Sequence, residues 1–129
     1  MSRPFTLDKT FINLRPDDSA RTIRVGPRFW ATVSRGSDLG DGRLVSMNRQ
    51  ATDWPHWERH PAGEEILVLL SGELQIVLQA GRRSRRVRLK AGQSMVVPKG
   101  SWHRVIVRKP GDLLFITPGA GTEHRPLKP

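Results

Sequence analysis

The feature that most constrains this chain is its punctuation. Twelve glycines and ten prolines are spread through 129 residues, and they leave only short runs between them. No run carries the apolar recurrence of about 3.6 residues that marks an amphipathic helix. The runs are instead rich in β-branched and aliphatic residues. Strands are expected at 10–14, 20–25, 29–34, 43–50, 65–70, 73–79, 85–90, 94–97, 103–107 and 113–117. Many short strands with turn signals between them predict an all-β sandwich or barrel. One hairpin can be read in detail: Leu74-Gln75-Ile76-Val77-Leu78 and Val87-Arg88-Leu89 flank a turn at 80–84. Side chains alternate faces along a strand, so Val87 and Leu89 are expected to point inward while Arg86, Arg88 and Lys90 meet water.

The length suits one domain, residues 1–129, with a core that needs no covalent staples. There is no cysteine, which excludes disulfides, thiolate metal ligands and a cysteine nucleophile. No run approaches the roughly 20 apolar residues of a membrane span, and Met1 to Thr10 lacks the apolar run of a signal peptide. A soluble cytoplasmic protein without a membrane partner is expected. The net charge of +10 favours acidic partners. Its densest cluster, Arg82-Arg83-Ser84-Arg85-Arg86, reads as a solvated hairpin tip, because no aromatic is interleaved on which bases could stack. Nucleic acid is therefore not the expected partner. Residues 1–45 are less patterned and are expected to supply outer strands or a contact to a second copy in a homodimer. Phe5, Phe11, Phe29 and Trp30 in that segment call for burial.

Two stretches carry chemistry. The first is His56-Trp57-Glu58-Arg59-His60-Pro61-Ala62-Gly63-Glu64-Glu65; the second runs from Gly92 through Pro98 and Gly100 to His103. On a strand His56, Glu58 and His60 share one face, and Trp57 and Arg59 the other. Pro61-Ala62-Gly63 forms a turn, after which Glu65 points inward and Glu64 toward solvent. Two imidazoles with one or two carboxylates and open positions suit Fe(II), Mn, Ni, Co or Zn. His124 lies in a tail and is assigned no chemistry.

These stretches resemble the paired motifs of the cupin superfamily. In the first motif a His-x-His is followed by Glu and then Gly; here four residues separate His60 from Glu65, and six separate Glu65 from Gly72. In the second, Gly92, Pro98, Gly100 and His103 fall in register. The chain departs from the pattern at Glu58, which stands where the family has its first histidine. It departs also at Thr52 and Val107, which replace the opening Gly and the closing Asn. The resemblance implies a cupin-type jelly-roll β-barrel, with its core at 46–118 and a tail at 119–129. It implies His60, Glu65 and His103 as ligands of a divalent metal (Fe, Mn, Ni or Zn), with Glu58 at the fourth position. Glu58 is then either a ligand or a general base beside the cation, or it pairs with Arg43 or Arg49 on a neighbouring strand.

The expected function is a small metal-binding cupin acting on a small acidic or carbonyl-bearing metabolite by dioxygenase, isomerase or lyase chemistry. The alternative is a metal-free cupin that binds or senses a ligand without turnover. Met47, Arg49, His56, Leu67 and Val105 are the expected lining of the substrate pocket, with Arg43 or Arg49 pairing a substrate carboxylate.

Overall fold

Alternating burial along nearly every run builds two facing sheets. The computed structural model describes residues 2–29 and 42–127. Among them are eleven strands: β1 (Thr10–Leu14), β2 (Ala20–Arg24), β3 (Arg43–Gln50), β4 (His56–Arg59), β5 (Glu65–Leu69), β6 (Glu73–Ala80), β7 (Arg83–Lys90), β8 (Ser94–Val97), β9 (His103–Lys109), β10 (Gly111–Pro118) and β11 (Glu123–Pro126). One sheet has the order β2-β1-β3-β10-β5-β8 and the other β11-β4-β9-β6-β7. Their paired strands run antiparallel, as in a jelly roll. No described helix is long and apolar enough to cross a membrane.

The core lies between the sheets. Leu67, Leu69, Leu113 and Phe115 from the first meet Leu74, Ile76, Leu89 and Val105 from the second. These side chains recur every second residue, which follows from the two-residue period of a strand. The β6–β7 hairpin follows its expected faces: Leu89 is buried and Val87 half-buried, while Arg86, Arg88 and Lys90 are exposed. Its turn is tighter than expected. Ala80 pairs with Arg83, so only Gly81 and Arg82 make the turn, with Gly81 at a φ of 62°. Gly72 has a different reason to be glycine. Its φ is 82°, and a Cβ there would stand 2.5 Å from the Lys109 carbonyl oxygen. This close approach lets β5 turn into β6 under the β9–β10 connection.

The N-terminal segment meets the expectation of burial at Phe11 and departs from it at Phe5. Phe11 is fully buried, edge-on to Phe29 at 5.2 Å. Phe5, by contrast, stays 46% exposed, because it precedes β1 in a stretch that no strand pairs with. Beyond Phe29, the strand expected at 29–34 and Trp30 lie outside the described residues. The C-terminal tail is not loose: β11 pairs with β4 and closes one edge of the second sheet.

Candidate metal centre

The site begins with a register. Glu58 on β4 pairs on one side with His103 of β9 and on the other with His124 of β11. Paired residues point to the same face, so His124, Glu58 and His103 form a row across the second sheet, facing the core. His56 lies two residues before Glu58 on that face. His60 follows the end of β4, where its carbonyl accepts a hydrogen bond from the Gly100 N–H at 3.0 Å. Gly100, at a φ of 71°, bends the chain to make this contact, tying the first motif to the second. Glu65 arrives from the opposite sheet as the first residue of β5. The four histidines of the chain thus come together from three separate stretches.

Glu58, His60, Glu65 and His103 each offer one ligand atom, and these atoms lie within 4.8 Å of one another. His60 Nε2 is 3.1 Å from Glu58 Oε1 and 3.2 Å from Glu65 Oε2. His103 Nε2 is 3.1 Å from Glu65 Oε1. These separations are short enough for ion pairs when an imidazole is protonated. His60 Nε2, Glu65 Oε1 and His103 Nε2 are buried with no hydrogen-bond partner. Unpaired buried polar atoms are costly, and His60, Glu65 and His103 would be satisfied together if they held a cation.

The outer atoms of the same side chains are held. The far ring nitrogen of His103, Nδ1, lies 3.0 Å from the Ser101 carbonyl, an acceptor only. Nδ1 therefore donates, and in the neutral ring Nε2 presents its lone pair to the site. His60 Nδ1 meets Thr122 Oγ1 at 2.9 Å. Thr117 Oγ1 donates to Glu65 Oε2 at 2.6 Å. Each inner group is thus oriented by a second contact behind it.

Charge inside the cluster follows its geometry. Burial works against the charged form of His60, but the Glu58 and Glu65 carboxylates outweigh it and raise the imidazole to about 9. Burial likewise pushes the Glu65 carboxyl up, and His103 and His60 outweigh that and hold it at about 2. Glu58 is also lowered: burial raises it and His60 prevails.

Above the cluster opens a cavity of about 740 Å³. Trp54 and Phe115 form an apolar wall, their rings stacked at 6.3 Å. Ser46, Asn48, Gln50 and Thr117 line the facing sheet. Among the described residues, no lysine or arginine lines it.

Of the expected lining residues, His56 borders the cavity. Met47 and Arg49 do not. Strand β3 presents Leu44, Ser46, Asn48 and Gln50 inward, so its odd-numbered residues face out, and Arg49 lies 4.0 Å from Asp112 at the surface. The apolar Val45 and Met47 suggest the opposite parity, but the inner side of β3 carries the polar Ser46, Asn48 and Gln50 beside Leu44. Leu67 and Val105 are fully buried in the core beneath the cavity and do not line it. Neither Arg43 nor Arg49 pairs with Glu58, whose partners are His60, His56 and His124. Glu64 is exposed, as its parity requires. His124 was invisible to local pattern, since its place depends on a pairing 66 residues away in sequence.

A family model described as "Cupin domain" matches residues 43–117. A curated protein named endoribonuclease YbeY, from Myxococcus xanthus, is 30% identical over 86 residues. The match covers 67% of this chain, which spans only 27% of that protein's length. Among solved structures, a cupin-2 domain containing protein from Shewanella frigidimarina is 22% identical, with a TM-score of 0.51 over 59% of this chain and 70% of that one. Hydroxypropylphosphonic acid epoxidase from S. wedmorenis, solved with fosfomycin, is 21% identical, with a TM-score of 0.51 over 58% and 43%. A cobalt(II) form of HppE in complex with substrate is 23% identical, with a TM-score of 0.51 over 58% and 44%. The likeness to these structures is one of fold.

Proposed function

This chain belongs to the cupin family, and we propose that it is a metal-dependent member acting on a small acidic or carbonyl-bearing metabolite. One observation carries the reading: the Nε2 atoms of His60 and His103 and Oε1 of Glu65 are buried together with no hydrogen-bond partner. His60, Glu65 and His103 would hold Fe(II), Mn, Ni or Zn, with Glu58 Oε1 as fourth donor. A divalent ion bound there polarises a carbonyl or binds a substrate oxygen. A related fold holds cobalt(II) and substrate in HppE, which supports the assignment.

The cavity sets what the substrate can be. Its described lining holds no Lys or Arg, so among these residues the metal end is what would attract an acidic group on the substrate. The amides of Asn48 and Gln50 and the hydroxyl of Ser46 would orient further oxygens. Trp54 and Phe115 exclude water from one side of the substrate and give an aromatic or alkyl body a flat surface. Glu58 stands between the buried cluster and this space, 18% exposed, where it can also take a proton from substrate. Dioxygenase, isomerase and lyase chemistry all fit this arrangement.

The test is metal content of the untagged protein by inductively coupled plasma mass spectrometry. His60→Ala and His103→Ala are each expected to strip the metal while circular dichroism still shows the folded barrel. Full occupancy in both variants would sink the site.

A second reading, a metal-free binding barrel, draws on His60. With its imidazole raised to about 9, it is charged at neutral pH and partly neutralises the two carboxylates beside it. Failure of the purified chain to take up added Fe(II), Mn(II), Ni(II) or Zn(II) would establish that reading.

For the outer face of the first sheet we propose a second copy of the chain. Val45, Met47, Val68, Leu114 and Ile116 point outward there, beside Val96 at 52% exposure. Light scattering at micromolar concentration is expected to give a dimer mass, and a monomer mass would overturn this.

A further inference from the structure

The Glu58 carboxylate faces two ways. Oε1 looks inward to His60 at 3.1 Å. Oε2 looks outward, 3.1 Å from His124 Nε2 and 3.8 Å from His56 Nε2. Ligand atoms of His56, Glu58 and His124 lie within 4.8 Å of one another, and His124 Nε2 is within hydrogen-bond distance of Glu58 Oε2.

The outer set is built by the fold. The β4–β11 register places His124 directly opposite Glu58. Trp54 stacks on His56 at 5.4 Å with ring planes 12° apart, which limits the imidazole's rotation. The His56 and His124 rings are 5.4 Å apart and tilted 60° to each other, with both Nε2 atoms toward the same carboxylate oxygen. Ligands held about 2.0–2.2 Å from a tetrahedral ion stand roughly 3.3–3.5 Å apart. The observed 3.1 and 3.8 Å bracket that spacing.

Two further facts point to a cation. Among the described residues, no Lys or Arg lines the cavity of this strongly basic chain. Both histidines that the buried cluster leaves unused are at this mouth. Two imidazoles and a carboxylate, half-exposed and with open positions, form a donor set suited to Zn(II), Co(II) or Fe(II).

We propose that His56, Glu58 Oε2 and His124 form a second divalent-cation position at the cavity mouth, with Glu58 bridging it to the buried one. This rests on the metal reading of His60, Glu65 and His103. A carboxylate giving one oxygen to each of two ions is the usual bridge of two-metal sites, whose ions stand about 3.5–4 Å apart. In this arrangement Glu58 is a ligand on both sides and not a base. The second ion supplies the positive charge that the cavity walls lack. It selects substrates that offer two oxygens in reach of each other, as a carboxylate or phosphate does.

The test is Zn(II) stoichiometry. The untagged chain is stripped with EDTA, dialysed against fixed free Zn(II), and its metal counted per chain. Wild type is expected to hold two, His56→Ala/His124→Ala one. His124 is 56% exposed and His56 37%, so neither change threatens the barrel, and thermal melts verify this. Two falling to one establishes the mouth position. One ion in wild type, kept by that variant and lost in His60→Ala/His103→Ala, overturns the mouth position while leaving the buried site standing. One ion lost with His56 and His124 but kept without His60 and His103 supports the mouth position and overturns the buried reading. No Zn(II) in wild type overturns both.

Discussion

The buried and outer halves of this site use the same residue types under opposite conditions. His60, Glu65 and His103 are 3%, 1% and 0% exposed. His56 and His124 are 37% and 56% exposed around the same Glu58. Inside, each side chain is fixed by a partner behind it: Thr122 for His60, Thr117 for Glu65, the Ser101 carbonyl for His103. Outside, Trp54 packing and one strand register provide the order, and water can replace any missing partner. The difference teaches where energy is stored. Polar atoms cut off from water must be matched or they destabilise the fold, whereas exposed ones can be rearranged at little cost.

Glu65→Ala breaks that comparison most sharply. Removing a buried carboxylate leaves two imidazoles and the Thr117 hydroxyl facing a void. Loss of one partner of a buried ion pair costs about 3–5 kcal/mol. Urea unfolding of the metal-free variant is expected to show a loss of that order. A loss under about 1 kcal/mol would mean that water already reaches the cluster and that the inner half is not distinct from the outer.

The pH profile of the metal-free chain separates the halves next. His60 is raised from 6.5 to about 9, so its contribution is full below 6.5 and is lost as pH rises through 9. Glu65 is lowered from 4.5 to about 2, so its contribution is full above 4.5 and is lost as pH falls through 2. Tm in EDTA is therefore expected to peak between these windows and to decline from pH 6.5 toward 9. The alkaline decline is the telling one, because shedding positive charge from a chain of net charge +10 would by itself relieve repulsion. A Tm that holds or rises from pH 6.5 to 9 contradicts the buried ion pair.

The same contrast explains what the sequence made legible. The face shared by His56, Glu58 and His60 could be read because strand parity is local, and Glu65 and His103 because the resemblance supplied their spacing. The strands β1, β3 and β8 fall where the runs of residues place them. Parity misled at β3, where the rule that apolar residues face inward selects Val45 and Met47. The inner side there borders a cavity rather than the packed core, so Ser46, Asn48 and Gln50 face in beside Leu44 while Val45 and Met47 face out. His124 could not be found by any local pattern. Only the pairing of β11 with β4 brings it to Glu58, and nothing in Glu123-His124-Arg125-Pro126 announces a strand partner. Arg125 shows how the tail is held: its guanidinium lies 4.6 Å from the Trp102 ring and donates to Gln79 Oε1 at 2.6 Å.

The smallest expected effect falls on the outer half. His124→Ala removes one exposed contact to Glu58 at 3.1 Å, and Glu58 keeps His60 on its other oxygen. Exposed pairs of this kind contribute about 0–1 kcal/mol, so the metal-free variant should unfold within about 1 kcal/mol of wild type. Its alkaline Tm decline should be unchanged, since that decline belongs to His60. The tail should also stay docked, because the Arg59–Glu123 pair at 3.0 Å and the Arg125 stack lie on the opposite face of β11. Hydrogen exchange of the β11 amides checks the last point directly. A loss comparable to that of Glu65→Ala would show that the mouth is as rigidly built as the buried cluster. The outer histidines would then belong to the fold before they belong to any ligand.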